Sequence, residues 1–193
     1  MKRAAIAALA VALLASGTAG AKPKKGKGKA NRLVVTKQVN VGIPDAIGSI
    51  DGVLVDDINA GNRYRGRKIR DVNVTLQTAG AGAAAGDLRF RLTAPNGATT
   101  NLFSSLSGGS IGPLTLDDES PFELGGMIAP NGFTLVSPYN GVAMPASPLN
   151  VMDNGGAKGR WSLTAIDQVS GGQPSTLLFW RLTVGAGPPF QTK

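Results

Sequence analysis

Two short runs of alternating apolar residues, each carrying one of the chain's two tryptophans, constrain the fold most strongly. In residues 159–167, three side chains share one face of a period-2 strand: Trp161, Leu163 and Ala165. In residues 177–184, four side chains do the same: Leu178, Trp180, Leu182 and Val184. A Gly/Pro-rich turn at 170–174 joins the runs, which predicts an antiparallel pair with one buried face. Both tryptophans are therefore predicted to lie in one core.

The rest of the chain repeats this pattern of short apolar alternation. The 27 glycines and 12 prolines separate the bursts, and no sustained helical stripe follows the N-terminal segment. The further predicted strands are residues 33–36, 53–55, 69–76, 88–93, 99–103, 114–116 and 133–136. Two stretches are predicted as surface loops. Residues 79–85 should form a long flexible loop, and residues 125–149 should form a loop except for the predicted strand at 133–136. This spacing predicts an all-β sandwich.

The first 21 residues predict a secretory signal peptide. Residues 1–3 form a basic start, residues 4–15 an apolar stretch, and residues 19–21 (Ala-Gly-Ala) a cleavage site of small residues. The apolar stretch is too short to span a membrane, and no second one follows it. We therefore expect a secreted, extracellular protein without a transmembrane segment, whose mature chain begins near Lys22.

Positive charge is concentrated directly after the predicted cleavage site. Six of the 20 Lys and Arg residues fall between Lys22 and Arg32, whereas from Leu33 onward 12 basic residues face 12 acidic ones. This Lys22–Arg32 tail has almost nothing to bury, which predicts a disordered linker. It serves either as a solvated linker or as a contact for an anionic cell surface. Nucleic acid is not an expected partner, because the chain lacks an RNA-binding aromatic pattern and is predicted to be exported.

The chain contains no histidine and no cysteine. A Ser-His-Asp triad, a Cys-His dyad and an ordinary zinc site are therefore excluded. The lysines are scattered along the chain, and none of them sits in a nucleophile context such as Gly-x-Ser-x-Gly. We expect a protein that is not an enzyme and that is stabilised by its core instead of disulfides.

Six short motifs follow one another in a particular order: Ile43-Pro44-Asp45, residues 69–74, Gly86-Asp87-Leu88, residues 94–97 (Ala-Pro-Asn-Gly), residues 116–119 and the tryptophan pair. This succession resembles the P domain (P/Homo B domain), which follows the catalytic domain of kexin- and furin-like subtilases. The resemblance covers roughly residues 43 to 184. It implies a jelly-roll-like antiparallel β-sandwich of about eight strands, similar to galactose-binding folds.

The resemblance also implies a function. In proteases the P domain packs on the catalytic domain and stabilises it, so the expected role is protein binding in association with a serine-type endopeptidase, such as a subtilisin-like protease. The catalytic domain itself is not in this sequence. The expected organisation is a signal peptide (1–21), a basic linker (22–32), one sandwich domain (33–188) and a short tail (189–193).

Carboxylates are the remaining candidates for a site. The densest group is Asp117, Asp118 and Glu119, and carboxylates in loops of exported proteins suit Ca²⁺. Members of the family carry a similar acidic triplet, and Asp87 could complete the site if the fold brings it near. The alternative is a solvated acidic turn in which Asp118 or Ser120 caps the backbone.

Other functions find less support in the sequence. Asp71 and Asp167 are expected to accept hydrogen bonds at strand ends. A glycosidase would need two carboxyl groups across a cleft, and nothing in the sequence recommends Asp118 with Asp153 or with Glu123 for that role. A glycan- or cell-surface-binding jelly roll is the main alternative function, with Tyr64, Tyr139 and some phenylalanines as its free aromatic residues. The basic run at 63–70 is expected to be a solvated loop entering a strand.

Overall fold

A computed structural model describes residues 31–81, 84–106, 108–124, 134–135 and 139–187. The predicted signal peptide, most of the Lys22–Arg32 tail and residues 189–193 lie outside these residues, as do positions 133 and 136 of one predicted strand. No helix within the described ranges is both long and apolar enough to cross a membrane.

Most of the regular secondary structure in the described residues is β-strand. In chain order, the strands are β1 (Asn31–Ile43), β2 (Gly52–Ala60), β3 (Lys68–Gly80), β4 (Leu88–Thr93), β5 (Thr99–Ser104), β6 (Leu114–Leu116), β7 (Glu123–Leu124), β8 (Thr134–Leu135), β9 (Gly141–Ala143), β10 (Gly159–Asp167) and β11 (Ser175–Gly187). Three single-turn 3₁₀ helices cover Asn62–Tyr64, Ala84–Gly86 and Leu149–Met152.

The strands form two sheets and one small pair. The five-stranded sheet has the order β1-β11-β3-β6-β9, the four-stranded sheet β2-β10-β4-β5, and β7 pairs with β8. Pairing is antiparallel except for β6–β9 and β7–β8, which are parallel. The apolar faces of the two sheets share one buried cluster. The prediction of an all-β sandwich is confirmed.

Strand β4 illustrates how the sequence sets the register. Its alternation buries Leu88, Phe90 and Leu92 completely and directs Arg91 to solvent. The Ala-Pro-Asn-Gly turn then leads into β5, with the Gly97 amide donating to the Ala94 carbonyl oxygen at 2.9 Å. The ring centroids of Phe90 and Phe103, which are paired across the two strands, lie 4.9 Å apart in the core.

The two tryptophan strands do not form the predicted hairpin. Strand β10 pairs with β2 and β4, and β11 pairs with β1 and β3, so they belong to different sheets. The turn between them is the connection from one sheet to the other. Trp161 and Trp180 nevertheless lie in one core, both with no exposed surface, as predicted. Leu178 is only half-buried because a register shift between Leu177 and Phe179 turns Leu177 inward instead.

One end of the sandwich collects three connections between the sheets: residues 44–51, 84–87 and 168–174. We call it the Ile47 end. Strands β1 and β3 finish there, and β2, β4 and β11 begin there, as the pairing of Ile43 with Ser175 and of Ser175 with Gly80 shows. The opposite end holds the start of β3, where the Ile69 amide donates to the Gly155 carbonyl oxygen at 3.0 Å.

Two predicted loops are more structured than the sequence indicates. Ala84 and Ala85 have no exposed surface, so the end of the 79–85 stretch is core and not a flexible surface loop. In the 125–149 stretch, Tyr139, Ala143 and Leu149 are all buried. Small or isolated apolar residues give no periodic signal, which explains both differences.

Candidate functional site

The predicted acidic triplet lies directly after β6, on the side towards the start of β3. One carboxylate oxygen of Asp117 accepts the Glu119 amide at 3.0 Å, and the other accepts the Asn73 side-chain amide at 3.1 Å. The Asp117 amide donates to the Ala143 carbonyl oxygen at 3.0 Å. Asp117 therefore both closes a local turn and links three strands.

Asp118 binds the start of the 3₁₀ helix Leu149–Met152. Its two carboxylate oxygens each accept one backbone amide, that of Leu149 and that of Asn150, both at 2.9 Å. Free amides at a helix start need such acceptors, and a carboxylate is a strong one. Ser120 supports the same turn, because its hydroxyl donates to the Val142 carbonyl oxygen and accepts the Phe122 amide. Asp118 and Ser120 thus both form hydrogen bonds with backbone groups, as the predicted capping role requires.

Two carboxylates from other elements join the triplet. Asp118, Glu119, Asp71 on β3 and Asp153 after the 3₁₀ helix line one small cavity of about 20 Å³. A space of this size holds about one water-sized particle.

The electrostatics of this group are those of crowded like charges. Burial raises the pKa of Asp71, Asp117 raises it further, and Arg32 opposes the change. Burial also raises the pKa of Asp153, with a contribution from Asp118. A side-chain hydrogen bond with Asp117 raises the pKa of Glu119. Added positive charge would relieve these interactions.

Calcium fits this arrangement only in part. In the described parts of the chain, no three acidic side chains converge closely enough to hold an ion. Both oxygens of Asp118 accept backbone amides, and those of Asp117 accept the Glu119 amide and the Asn73 side-chain amide, so a Ca²⁺ ion would compete with these hydrogen bonds at both residues. The calcium site stays a prediction.

The structure does not bring Asp87 to the triplet. Asp117 follows Leu116, which pairs with Val74, whereas Asp87 accepts the Gln173 amide at the Ile47 end, near Gly80. The six residues from Val74 to Gly80 span about 20 Å of strand.

Asp87 instead belongs to a second acidic group at the Ile47 end. Asp45 accepts the Gly171 amide at 3.0 Å, and Asp167 accepts the Val169 amide at 3.0 Å. Burial raises the pKa of Asp167, and the nearby charges of Asp45, Asp87 and Asp51 raise it further. These carboxylates are far apart in the sequence and meet only through the topology, so sequence reasoning missed the group. The expected backbone hydrogen bond of Asp167 is present.

A polar cluster inside the sandwich was also missed. Asp56 on β2 accepts the Trp180 indole N–H at 2.6 Å and the Lys37 ammonium at 2.7 Å. Lys37 also donates to the Asp57 carbonyl oxygen at 3.0 Å. The cluster thereby joins edge strands β1 and β2 of the two sheets. Inward-pointing charges at sheet edges discourage edge-to-edge association.

Of the residues considered for sugar chemistry, Asp118 and Asp153 line the same cavity, but its volume of about 20 Å³ holds one water-sized particle and not a sugar ring. Tyr64 and Tyr139, the only tyrosines of the chain, are buried at 3% and 1% exposure, so neither is free to stack on a sugar. Glu123 lines a separate cavity of about 350 Å³ beside Phe103 and Leu124, and not the cleft that contains Asp118.

Comparison with known proteins gives a fold-level likeness only. No family model and no curated protein matches this chain. The solved serine protease of Aeromonas sobria is similar over 84% of this chain, with 14% identity and a TM-score of 0.43. The complex of that protease with its chaperone is similar over 82%, with 17% identity and a TM-score of 0.44.

This chain spans 28% and 27% of the length of those two protein chains. Similarities this weak do not establish a family or a function.

Proposed function

We propose that this chain is a secreted, non-catalytic module of the P-domain type, which binds and stabilises a protein partner, a subtilisin-like serine protease. One observation carries the proposal. The six motifs that resemble the P domain fall on strands and turns of a single sandwich, at the end of β1, in β3, β4, β10 and β11, in the turn after β4 and at the end of β6. Their apolar positions supply much of its core, including Trp161 and Trp180.

The chemistry of the chain is in keeping with a binding role. Histidine and cysteine are absent from the sequence. The aspartates Asp56, Asp117 and Asp118 accept hydrogen bonds that hold strands and turns together. Side chains engaged in this way position backbone and are poor candidates for proton transfer.

A pull-down tests the proposal. The secreted chain, carrying a tag, is incubated with culture supernatant of its source organism, and the bound proteins are identified by mass spectrometry. We expect a subtilisin-like protease whose melting temperature rises when the module is added. Recovery of wall polysaccharide alone would favour the glycan-binding alternative and contradict the proposal.

A further inference from the structure

Exposed aliphatic side chains gather at the Ile47 end. Among the described residues, Ile47 and Ile50 are the most exposed large apolar side chains, at 77% and 72%, and two further exposed valines at the same end are Val53 and Val169, at 49% and 45%. We call these four residues the tip patch. Single exposed aliphatic residues are ordinary, but a group of them on one surface marks an interaction site.

The turn that carries the patch is held rigidly. Ile47 and Ile50 exchange both backbone hydrogen bonds, at 2.9 and 3.0 Å. Gly48 between them has a φ of 62°, which suits the tight turn, and its amide donates to the Ser170 hydroxyl. Ala46 forms a bridge with Ser170, so Val169 is fixed beside the turn. A surface ordered in advance loses little entropy when a partner binds.

The charge around the patch is negative. Asp45 and Asp51 flank the turn in the sequence, and Asp87 and Asp167 bind the neighbouring 168–174 segment through backbone amides. The nearby charges of the three other carboxylates each act to raise the pKa of Asp167, the carboxyl that is bonded to the Val169 amide. A partner surface that carries lysine or arginine would relieve this repulsion.

We propose that the tip patch binds a protein segment in which aliphatic residues alternate with lysine or arginine. The inference rests on the proposed function, because it assigns the surface through which the module contacts its partner. Four side chains form a small area, so the occupant is a short segment and not the face of a whole domain.

Other occupants fit less well. A second copy docked through the same surface would bring two sets of four carboxylates together. The basic tail enters the sandwich at Asn31, and β1 is 13 residues long, so the Ile47 end lies about 40 Å from its start. The nine residues from Lys22 to Ala30 extend to about 31 Å at most. An anionic membrane is disfavoured by the same carboxylates.

Peptide binding to the secreted chain tests this inference. The probe is a fluorescein-labelled peptide that alternates valine or isoleucine with lysine, and its partner probe has glutamate in place of lysine. We expect anisotropy to report binding of the lysine peptide only, with weaker binding at about 1 M salt, where screening shortens to ~3 Å. The variant Ile47→Ser/Ile50→Ser should bind at least about tenfold more weakly.

A matched control is Val34→Ser/Val151→Ser, which removes two exposed valines outside the patch (51% and 52% exposed) and should bind like the unaltered chain. Thermal melting of both variants checks that they fold. Equal binding by the patch variant, or equal loss in the control, overturns the inference. Self-association that the patch variant abolishes would make a second copy the occupant and would also overturn it.

The pull-down separates this inference from the proposed function. If the chain recovers a protease and the Ile47→Ser/Ile50→Ser variant recovers it equally well, the proposed function stands and the tip patch is not the contact. If the variant recovers none, the tip patch is the contact surface.

Discussion

Trp161 and Trp180 are both fully buried, yet their indole N–H groups meet different acceptors. Trp180 donates to the Asp56 carboxylate at 2.6 Å, whereas Trp161 donates to the Ala157 carbonyl oxygen at 3.4 Å. Hydrogen bonds to charged groups contribute about 1.5–3 kcal/mol, against about 1 kcal/mol for neutral pairs. Losing the Trp180 indole also leaves part of a buried carboxylate unpaired.

We therefore expect the two tryptophans to differ when only the N–H is removed. Either Trp→Ala change should cost about 3–5 kcal/mol, because it empties a large core site. Trp180→Phe should cost more than Trp161→Phe, by about 1 kcal/mol. Urea unfolding measures both. Equal costs for the two Trp→Phe variants would mean that the Asp56 contact adds no stability.

Asp167 gives a prediction about pH. Its carboxyl is buried, and burial is the largest cause that raises its pKa from the ordinary 3.8. The hydrogen bond from the Val169 amide opposes this change, and the charges of Asp45, Asp87 and Asp51 add to it. A raised pKa in the folded state means that folding favours the protonated form, so this contribution to stability is present at low pH and is lost as pH rises through the folded pKa. The contribution of Asp167 to the stability of the wild-type fold should therefore increase as the pH falls from 7 towards 4.

Asp167→Asn tests the sign. Asparagine keeps an oxygen for the Val169 amide but carries no charge, so at pH 7 the variant should be at least as stable as wild type. Melting temperatures compared across pH 4 to 7 should show a smaller pH dependence for the variant. A variant that is clearly less stable at pH 7, with unchanged pH dependence, would show that the charge of Asp167 is favourable in the fold.

Among the elements, the alternation of apolar residues predicted β4 and β6 with the bounds that the structure shows. It also predicted the central residues of β3, β5, β10 and β11. The alternation pattern does not predict which strands pair. Every second residue is buried both when two strands are hydrogen-bonded in one sheet and when they face each other from two sheets. The short strands β7 and β9 escaped detection, because neither has the apolar–polar–apolar alternation of Leu114–Leu116 in β6. The acidic triplet was found because it is contiguous, whereas the Ile47-end carboxylates come together only through topology.

The 3₁₀ helix Leu149–Met152 depends on one carboxylate from a distant loop. Asp118→Ala removes the acceptor of two backbone amides, so we expect a loss of about 1–2 kcal/mol, as for other helix caps. Its neighbour Glu119 is exposed and provides the matched control, because Glu119→Ala should change stability far less. Chemical denaturation compares the two. A larger loss in the control would contradict the capping role.

Calcium binding at the triplet is best tested with a variant of Glu119, because a substitution of Asp118 would also remove the cap of the 3₁₀ helix Leu149–Met152. About 10 mM Ca²⁺ should raise the melting temperature, because extracellular sites bind near 10⁻⁴ to 10⁻³ M and ligand at about 100 times a Kd of ~10⁻⁴ M stabilises the fold by about 2.7 kcal/mol. EDTA should reverse the rise. Glu119→Gln should reduce it, whereas Glu123→Gln, at a separate cavity, should not. An unmoved melting curve would leave only a solvated acidic turn.

For the whole molecule, charge is distributed along the long axis. The Ile47 end carries Asp45, Asp51, Asp87 and Asp167, and the triplet with its neighbours lies towards the other end, where the basic tail joins β1. The formally neutral body therefore contains two acidic regions. Composition alone reports only the net charge of +8 and conceals this layout.

We expect the whole chain to have no peptidase activity. With neither histidine nor cysteine, a serine nucleophile would need lysine or a carboxylate as its base. Lys37 is held by Asp56, and the carboxylates of Asp117 and Asp118 accept structural hydrogen bonds. The purified chain should therefore cleave neither casein nor a dibasic peptide and should not react with a fluorophosphonate probe, under conditions in which subtilisin does both. Turnover that a single Ser or Asp substitution abolishes would show that the fold contains a catalytic site, and the non-catalytic assignment would fail.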